Sequence, residues 1–319
     1  MAQSPSMARP QLSPGVYWPK DRSTTTADGA NIHWTTLPER GGNGRPTVAL
    51  LSGFLCADTW WHDMAPVLAD AGYRVVLLHY RGIATSGLPR TGVDPGGLTV
   101  ERFAEDVLDV LHAAGVDEVS LVGHSMGGQV MVEVARRIPA RVRSMVGVTA
   151  ADRSPFRDLY GAGWLAHPMV STVLRALHLL REPMGTAVYR TVWRTLPFLP
   201  LARASTAFGP LTPADVLQSY SDHAAQLSGD YFTAVLRAMH RHDPGDLLSE
   251  LEHPTLLVAG SDDPFTPLRT AKRMTAQLPR SELFVVPDTT HAAILEASTE
   301  VNRAVLRHLQ RHHPADPRS

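Results

Sequence analysis

The sequence predicts an α/β fold built on a mostly parallel sheet and interrupted once by a helical insertion. Three observations point there. Short apolar runs alternate with helix-patterned segments in both the first half and the last third of the chain. Those runs are apolar throughout instead of at every second residue, as expected of strands buried on both faces between helix layers. The alternation stops for about a hundred residues between Ala150 and Leu251, a stretch that holds eight prolines, shows no strand pattern and is too long for a structureless loop.

Taken in order, Thr24 to Thr36 reads as two short strands joined at Asp28-Gly29, a strong hairpin signal. Thr47 to Ser52 (TVALLS) and Val75 to Tyr80 (VVLLHY) are buried strands, and Asp58 is a candidate cap for a helix carrying Met64, Val67, Leu68 and Ala71 and stopping at Gly72. The segment from Thr99 to Ala114 is the clearest helix. Phe103, Val107, Val110, Leu111 and Ala114 share one face, Thr99 stands at the N-cap and Gly115 at the stop. Val119–Val122 is a strand, 126–137 a helix, and Ser144–Thr149, Thr255–Ala259 and Leu283–Val286 are further strands. Val301, Val305, Leu306 and Leu309 mark an amphipathic helix behind Ser298, with His312 and His313 in a frayed end. The expected organisation is a disordered tail over residues 1–20, a core over 21–150 and 251–319, and a helical cap over 151–250.

Composition removes several classes. Lys+Arg of 30 against Asp+Glu of 31 gives a net charge of −1, which does not point to nucleic acid as a partner. Cys56 is the sole cysteine, so neither an intrachain disulfide nor a cysteine-based zinc site is available, and a lone cysteine is usually a small buried apolar residue. No apolar run reaches the ~18 residues of a membrane span. The first twenty residues carry four prolines and no apolar signal core, so the expected location is the cytoplasm.

The chemistry concentrates at Gly123-His124-Ser125-Met126-Gly127, between the strand ending at Val122 and the helix that follows. A serine at a sharp strand-to-helix turn needs small residues two positions before and after it, and the turn aims the helix N-terminus at the reacting centre. A serine hydroxyl attacks only when a base removes its proton. His291, beyond the strand ending at Val286, is the candidate base, and an aspartate beyond the strand ending at Ala259 is the candidate acid that orients it. Asp262 and Asp263 compete for that role. The spacing from Gly260 favours Asp263, with Asp152 a third choice. The backbone amides of Met126 and Phe54 are the candidate oxyanion donors, Gly53 allowing close approach. Leu55, Trp164 and Trp193 are candidate substrate-contacting residues, and Trp60 or Trp61 could edge the pocket. His240, His242 and Asp243 lack a clear fourth partner, so no metal site is expected.

Four blocks carry a resemblance to the α/β-hydrolase family, spanning about residues 21–311: Ser52-Gly53-Phe54, YRGIATSG at 80–87, GHSMGG at 123–128, and GSDDP at 260–264 with TTH at 289–291. The resemblance implies an α/β-hydrolase fold: an eight-stranded, mostly parallel sheet flanked by helices, a helical lid after the sixth strand, and a Ser-Asp-His triad without cofactor. Two positions depart from the family's habit, Ser52-Gly53 where His-Gly is common and His79-Tyr80 where an aspartate precedes the arginine block. The expected activity is serine hydrolysis of carboxylic esters or thioesters with a hydrophobic acyl group, the partner being a small-molecule acyl substrate. Thioesterase, acyltransferase and carbon–carbon bond hydrolysis reuse the same triad. A receptor that binds ligand without turnover is the rival from another class. Seven arginines between Arg153 and Arg203, against Asp158 and Glu182, raise an acyl carrier domain as a possible partner beside the plainer reading of a solvated helix face.

Overall fold

The computed structural model describes residues 16–38, 44–93, 97–177, 184–195 and 197–315. Eight strands form one sheet: β1 (Arg22–Thr25), β2 (Asn31–Leu37), β3 (Thr47–Leu51), β4 (Arg74–Leu78), β5 (Val119–His124), β6 (Val142–Val148), β7 (Thr255–Gly260) and β8 (Ser281–Val286). Their spatial order is β1-β2-β4-β3-β5-β6-β7-β8. β1 and β2 pair antiparallel, as do β2 and β4, while every pairing from β4 across to β8 is parallel. The hairpin turns where Asp28-Gly29 indicated, with Gly29 at φ 86°.

The apolar runs lack polar alternation because both faces of the sheet are covered. In β3, Ala49 and Leu51 belong to one core cluster and Val48 and Leu50 to the other. Helix α1 (Met64–Asp70) lies with the second cluster, while α2 (Val100–Ala113) and α3 (Met126–Arg137) lie with the first. The Thr99 side chain accepts from the Arg102 N–H at 3.1 Å, the capping bond expected there. Between β6 and β7 the chain forms α4 (Gly163–Leu177), α5 (Met184–Thr195), α6 (Phe198–Ala204), α7 (Ala214–Ala224), α8 (Gly229–Arg241) and α9 (Leu247–Glu250), with no strand among the described residues. Helix α10 (Leu268–Gln277) connects β7 to β8, and α11 (Ala293–Glu296) and α12 (Ser298–His312) close the chain. Among the described residues, no helix is long and apolar enough to cross a membrane.

Three local expectations are corrected. Asp58 caps no helix: α1 starts at Met64, and Asp58 opens a 3-10 turn, Asp58–Trp61, with its carboxylate 1% exposed. That buried charge instead collects the Tyr17 N–H at 2.7 Å, the Trp18 N–H at 3.1 Å and the Lys20 ammonium, because a buried carboxylate must be paired and hydrogen-bonded. Residues 16–20 of the expected tail are therefore anchored, and residues 1–15 lie outside the described residues. His313 is buried rather than frayed, its Nδ1 3.0 Å from the Ser120 hydroxyl under the sheet.

Candidate active site

Parallel strands send all their following loops to one edge, so β3, β5, β6, β7 and β8 deliver their loops to a common rim. Ser125 stands on that rim at φ 54°, ψ −120°, a backbone state that L-residues rarely hold. The surroundings determine it from several sides. The Ser125 N–H donates to Val148 O at 3.3 Å, and its carbonyl accepts from Gly128 N–H at 2.9 Å and Ala151 N–H at 3.0 Å. The flanking glycines are dictated by space. A Cβ on Gly123 would lie 2.5 Å from Gly127 O, and one on Gly127 would lie 2.7 Å from the carbonyl carbon of Leu51. Although Ser125 occupies the N-cap position of α3, its side chain makes no capping bond.

The hydroxyl faces the imidazole of His291 instead, with Oγ 2.9 Å from Nε2. On the far side of the ring, Nδ1 lies 2.8 Å from Asp263 Oδ2. An ionised carboxylate only accepts, so Nδ1 carries the proton and Nε2 offers a lone pair to the serine. Asp263 is 3% exposed. Burial pushes its carboxyl upward, but the adjacent His291 and the bonds from His291 and Thr266 outweigh burial and hold it below the usual carboxylate range. Its Oδ1 accepts from the N–H groups of Phe265 at 2.8 Å and Thr266 at 3.0 Å, and the Thr266 hydroxyl lies 2.6 Å from Oδ2.

The two loops that carry this pair are tied together. Ser261 N–H donates to Val286 O at 3.0 Å and Asp262 N–H to Thr289 O at 2.9 Å, and a Cβ on Gly260 would sit 2.5 Å from Thr290 O. Of the other two aspartates considered, Asp262 is exposed, and Asp152 is buried but faces Arg273, with oxygens 2.6 and 2.8 Å from its guanidinium nitrogens.

The loop after β3 comes in beside the serine: a Cβ on Gly53 would lie 3.1 Å from Ser125 Cβ. Neither the Phe54 nor the Met126 N–H has a hydrogen-bond acceptor among the described residues. Two uncommitted amides, one at the start of α3 and one in this turn, are suited to receive a developing negative oxygen.

A cavity of about 450 Å³ opens onto Ser125 and His291. Phe54, Trp60 and His124 wall it from the core, and Trp193, Phe208 and Tyr220 from the insertion. No Lys, Arg, Asp or Glu among the described residues lines it. Two expected contacts are overturned. Leu55 is 1% exposed and belongs to the core, its backbone held at φ 52°. Trp164 is 81% exposed on the outer side of α4 and lines no part of the cavity, whereas Trp193 does.

His124 was not marked out by sequence reasoning as a cavity residue. It stacks on Trp60 with ring centroids 5.0 Å apart, and its Nε2 donates to His291 O at 3.3 Å. Burial, with the nearby His291, lowers its pKa to about 3, so the ring is neutral at ordinary pH. Tyr220, Phe232 and Phe265 are further lining residues without an advance signal. Glu296, which lies outside the cavity wall, also carried no advance signal: it accepts from Thr290 N–H, Gly209 N–H and the Thr212 hydroxyl at 2.6–2.7 Å, joining the histidine loop to the insertion.

The histidine group weighed for metal is dispersed: His240 bonds Ser154 at 3.0 Å, His242 bonds Glu133 at 3.1 Å, and Asp243 pairs with Arg157 at 3.0 Å. Glu101, Glu133 and His242 bring ligand atoms within 4.8 Å of one another, but Glu133 is already committed to Arg136, Arg137 and His242. Several arginines of the insertion also serve the fold. Arg190 donates to the carbonyls of Gln226 and Leu227, and Arg203 to those of Gly209, Pro210 and Thr212.

Comparison with known proteins agrees with this architecture. The family described as "alpha/beta hydrolase fold" matches residues 43–298. A 2-hydroxy-6-oxononadienedioate/2-hydroxy-6-oxononatrienedioate hydrolase of Pseudomonas putida is 31% identical over 288 residues, covering 88% of this chain and 91% of that protein. A putative carbamate hydrolase RutD of Caulobacter sp. is 26% identical over 274 residues, covering 83% of this chain and 91% of the relative. An esterase from Exiguobacterium antarcticum superimposes with a TM-score of 0.70 at 18% identity, over 90% of this chain and 98% of that one.

Proposed function

The chain belongs to the α/β-hydrolase family, and from that premise we propose that it hydrolyses uncharged carboxylic esters or thioesters with a hydrophobic acyl group. One observation carries the reading: the Ser125–His291–Asp263 relay opens onto an aromatic cavity that has no charged side chain among its described walls. Ser125 Oγ attacks the acyl carbon while His291 Nε2 takes its proton, and Asp263 holds the imidazole and stabilises the imidazolium. The Phe54 and Met126 amides receive the oxyanion. His291 then returns the proton to the departing alcohol or thiol, and water releases the acid from Ser125 by the same steps.

The Pseudomonas relative is named for a dicarboxylate, and a doubly charged substrate in this cavity would lose its hydration without a cationic partner. The lining therefore favours neutral acyl groups over that substrate class. Acyl transfer from a carrier domain would need a docking face, and the insertion arginines that are engaged internally give it less support than simple hydrolysis receives.

The test is fluorophosphonate labelling mapped by mass spectrometry, followed by turnover of a graded p-nitrophenyl ester series. Labelling at Ser125, turnover that rises with acyl length, and loss of both in Ser125→Ala support the proposal. Undiminished turnover in Ser125→Ala ends it.

A further inference from the structure

The two oxygens of Asp263 are held differently. Oδ1 takes the backbone N–H groups of Phe265 and Thr266, so the main chain of this turn sets the orientation of the carboxylate. Oδ2 is shared between two side chains: His291 Nδ1 lies 2.8 Å from it and the Thr266 hydroxyl 2.6 Å. Thr266 is 3% exposed and lines no part of the cavity, so its hydroxyl meets no substrate.

A threonine hydroxyl carries one proton, and here two acceptors compete for it. Thr149 O lies 2.9 Å from Thr266 Oγ1, while Asp263 Oδ2 is nearer and charged. A proton given to Thr149 would leave an oxygen lone pair against the buried carboxylate at 2.6 Å. The proton therefore goes to Oδ2, where the bond is charge-assisted. His291 Nδ1 lies 3.4 Å from the same hydroxyl, but its proton is already directed to Oδ2. Thr149 stands behind the hydroxyl as a fixed wall. Its N–H donates to Val258 O at 2.8 Å and its own hydroxyl to His291 O at 3.0 Å.

We propose that Thr266 is a positioning residue, and that what it positions is a proton: with its hydroxyl on Oδ2, the proton between Asp263 and His291 stays on Nδ1 when the imidazolium forms. This inference rests on the hydrolase reading above. The reaction needs a carboxylate facing an imidazolium, since that ion pair stabilises the charge that develops. Burial favours the protonated form of a carboxyl group, and hydrogen bonds to its oxygens favour the ionised form. With one donor fewer, Asp263 would draw the Nδ1 proton across, and the ion pair would collapse to two neutral groups. Thr266 acts through Asp263 and touches no reacting atom.

Loss of the hydroxyl destabilises the ionised carboxylate, so the Asp263–His291 pair takes up a proton at higher pH, whichever atom receives it. Two other titratable groups stand at the relay. His124, from β5, has its Nε2 3.3 Å from His291 O and a pKa lowered to about 3, so it stays neutral. Asp262 is exposed, and its carboxylate accepts from the Ser261 hydroxyl.

The experiment compares wild type with Thr266→Val and Thr266→Ala, which lack the hydroxyl, and with Thr266→Ser, which keeps it. The readout is kcat/KM for p-nitrophenyl hexanoate from about pH 5 to 9, with KM and a thermal melt for each protein. In Thr266→Val and Thr266→Ala the acidic limb should move upward by at least about 0.5 pH unit, the size of one net hydrogen bond, with KM within about twofold. Thr266→Ser should keep the wild-type limb. If the melt shows that the valine variant is unfolded, the alanine variant carries the comparison. A smaller or downward displacement in the variants without a hydroxyl overturns the inference. An equal displacement in Thr266→Ser overturns it as well, because lost packing would then be the cause. Wild type that neither reacts with fluorophosphonate at Ser125 nor turns over the ester instead overturns the hydrolase reading, and this inference with it.

Discussion

Asp263→Asn isolates the acid of the relay from the fold around it. In the native site Oδ1 accepts two backbone N–H groups, from Phe265 and Thr266, while Oδ2 faces His291 Nδ1 at 2.8 Å. An asparagine keeps its oxygen on the two backbone donors, since the reverse placement would set an NH₂ against two N–H groups. Its NH₂ then faces Nδ1. Two donors cannot share that position, so the imidazole proton moves to Nε2, and the nitrogen beside Ser125 loses its lone pair. The expected loss is about 10⁴-fold in kcat, the order seen when a triad histidine is held in the wrong tautomer. At about 1.36 kcal/mol per tenfold this is 5–6 kcal/mol of transition-state stabilisation. The assay is kcat and kcat/KM on p-nitrophenyl hexanoate, with a thermal melt to show that the retained backbone bonds preserve the fold. Asp262→Asn serves as the control and should stay within twofold, because Asp262 is exposed and its carboxylate accepts only from the hydroxyl of its neighbour Ser261 among the described residues. Asp263→Asn activity within tenfold of wild type, or a larger loss in Asp262→Asn, would falsify this assignment.

Three further outcomes follow from other parts of the molecule. Gly127→Ala should lose about 3 kcal/mol or more in urea unfolding and most of its turnover, because the added carbon meets the Leu51 backbone, which cannot move aside as a side chain would. Trp193→Ala should raise KM for long acyl esters about 5- to 30-fold, as 1–2 kcal/mol of apolar contact is lost, while Trp164→Ala on the outer face leaves kcat/KM unchanged. Equal effects of the two tryptophans would contradict the cavity described here. Asp58→Ala should destabilise by about 3–5 kcal/mol, since it strands the buried Lys20 ammonium. In the wild type, burial pushes the Asp58 carboxyl up, but His79 and Lys20 outweigh it and hold the pKa at about 2, below the ordinary 3.8. A lowered carboxyl contributes stability that is complete above its unfolded pKa and disappears as pH falls from about 4 towards 2. Urea midpoints across that range should fall in the wild type and fall less in the variant.

How much of this was legible in advance depended on how far apart the interacting residues lie in the chain. The Asp28-Gly29 turn, the Thr99 cap and the glycines about Ser125 obey rules that act within a few residues, and each could be read directly. The choice of Asp263 over Asp262 was legible as a preference from Gly260, although nothing local separates two adjacent carboxylates. Asp58 misled for a related reason. An aspartate ahead of a helix pattern resembles a cap, and its true partners are backbone groups and a lysine about forty positions away.

By itself the sequence determined the strand–helix alternation, the elbow at Ser125 and the order of serine, acid and histidine, because backbone sterics and side-chain periodicity are written at short range. Only the tertiary structure decided which aromatic residues look into the cavity. Trp164 and Trp193 both sit on helices of the insertion, and a side chain's direction advances by about 100° with each helical residue. Whether either ring faces substrate or solvent is therefore settled by how its helix packs against its neighbours. The same packing brings the Tyr220 hydroxyl to Phe54, 166 positions away.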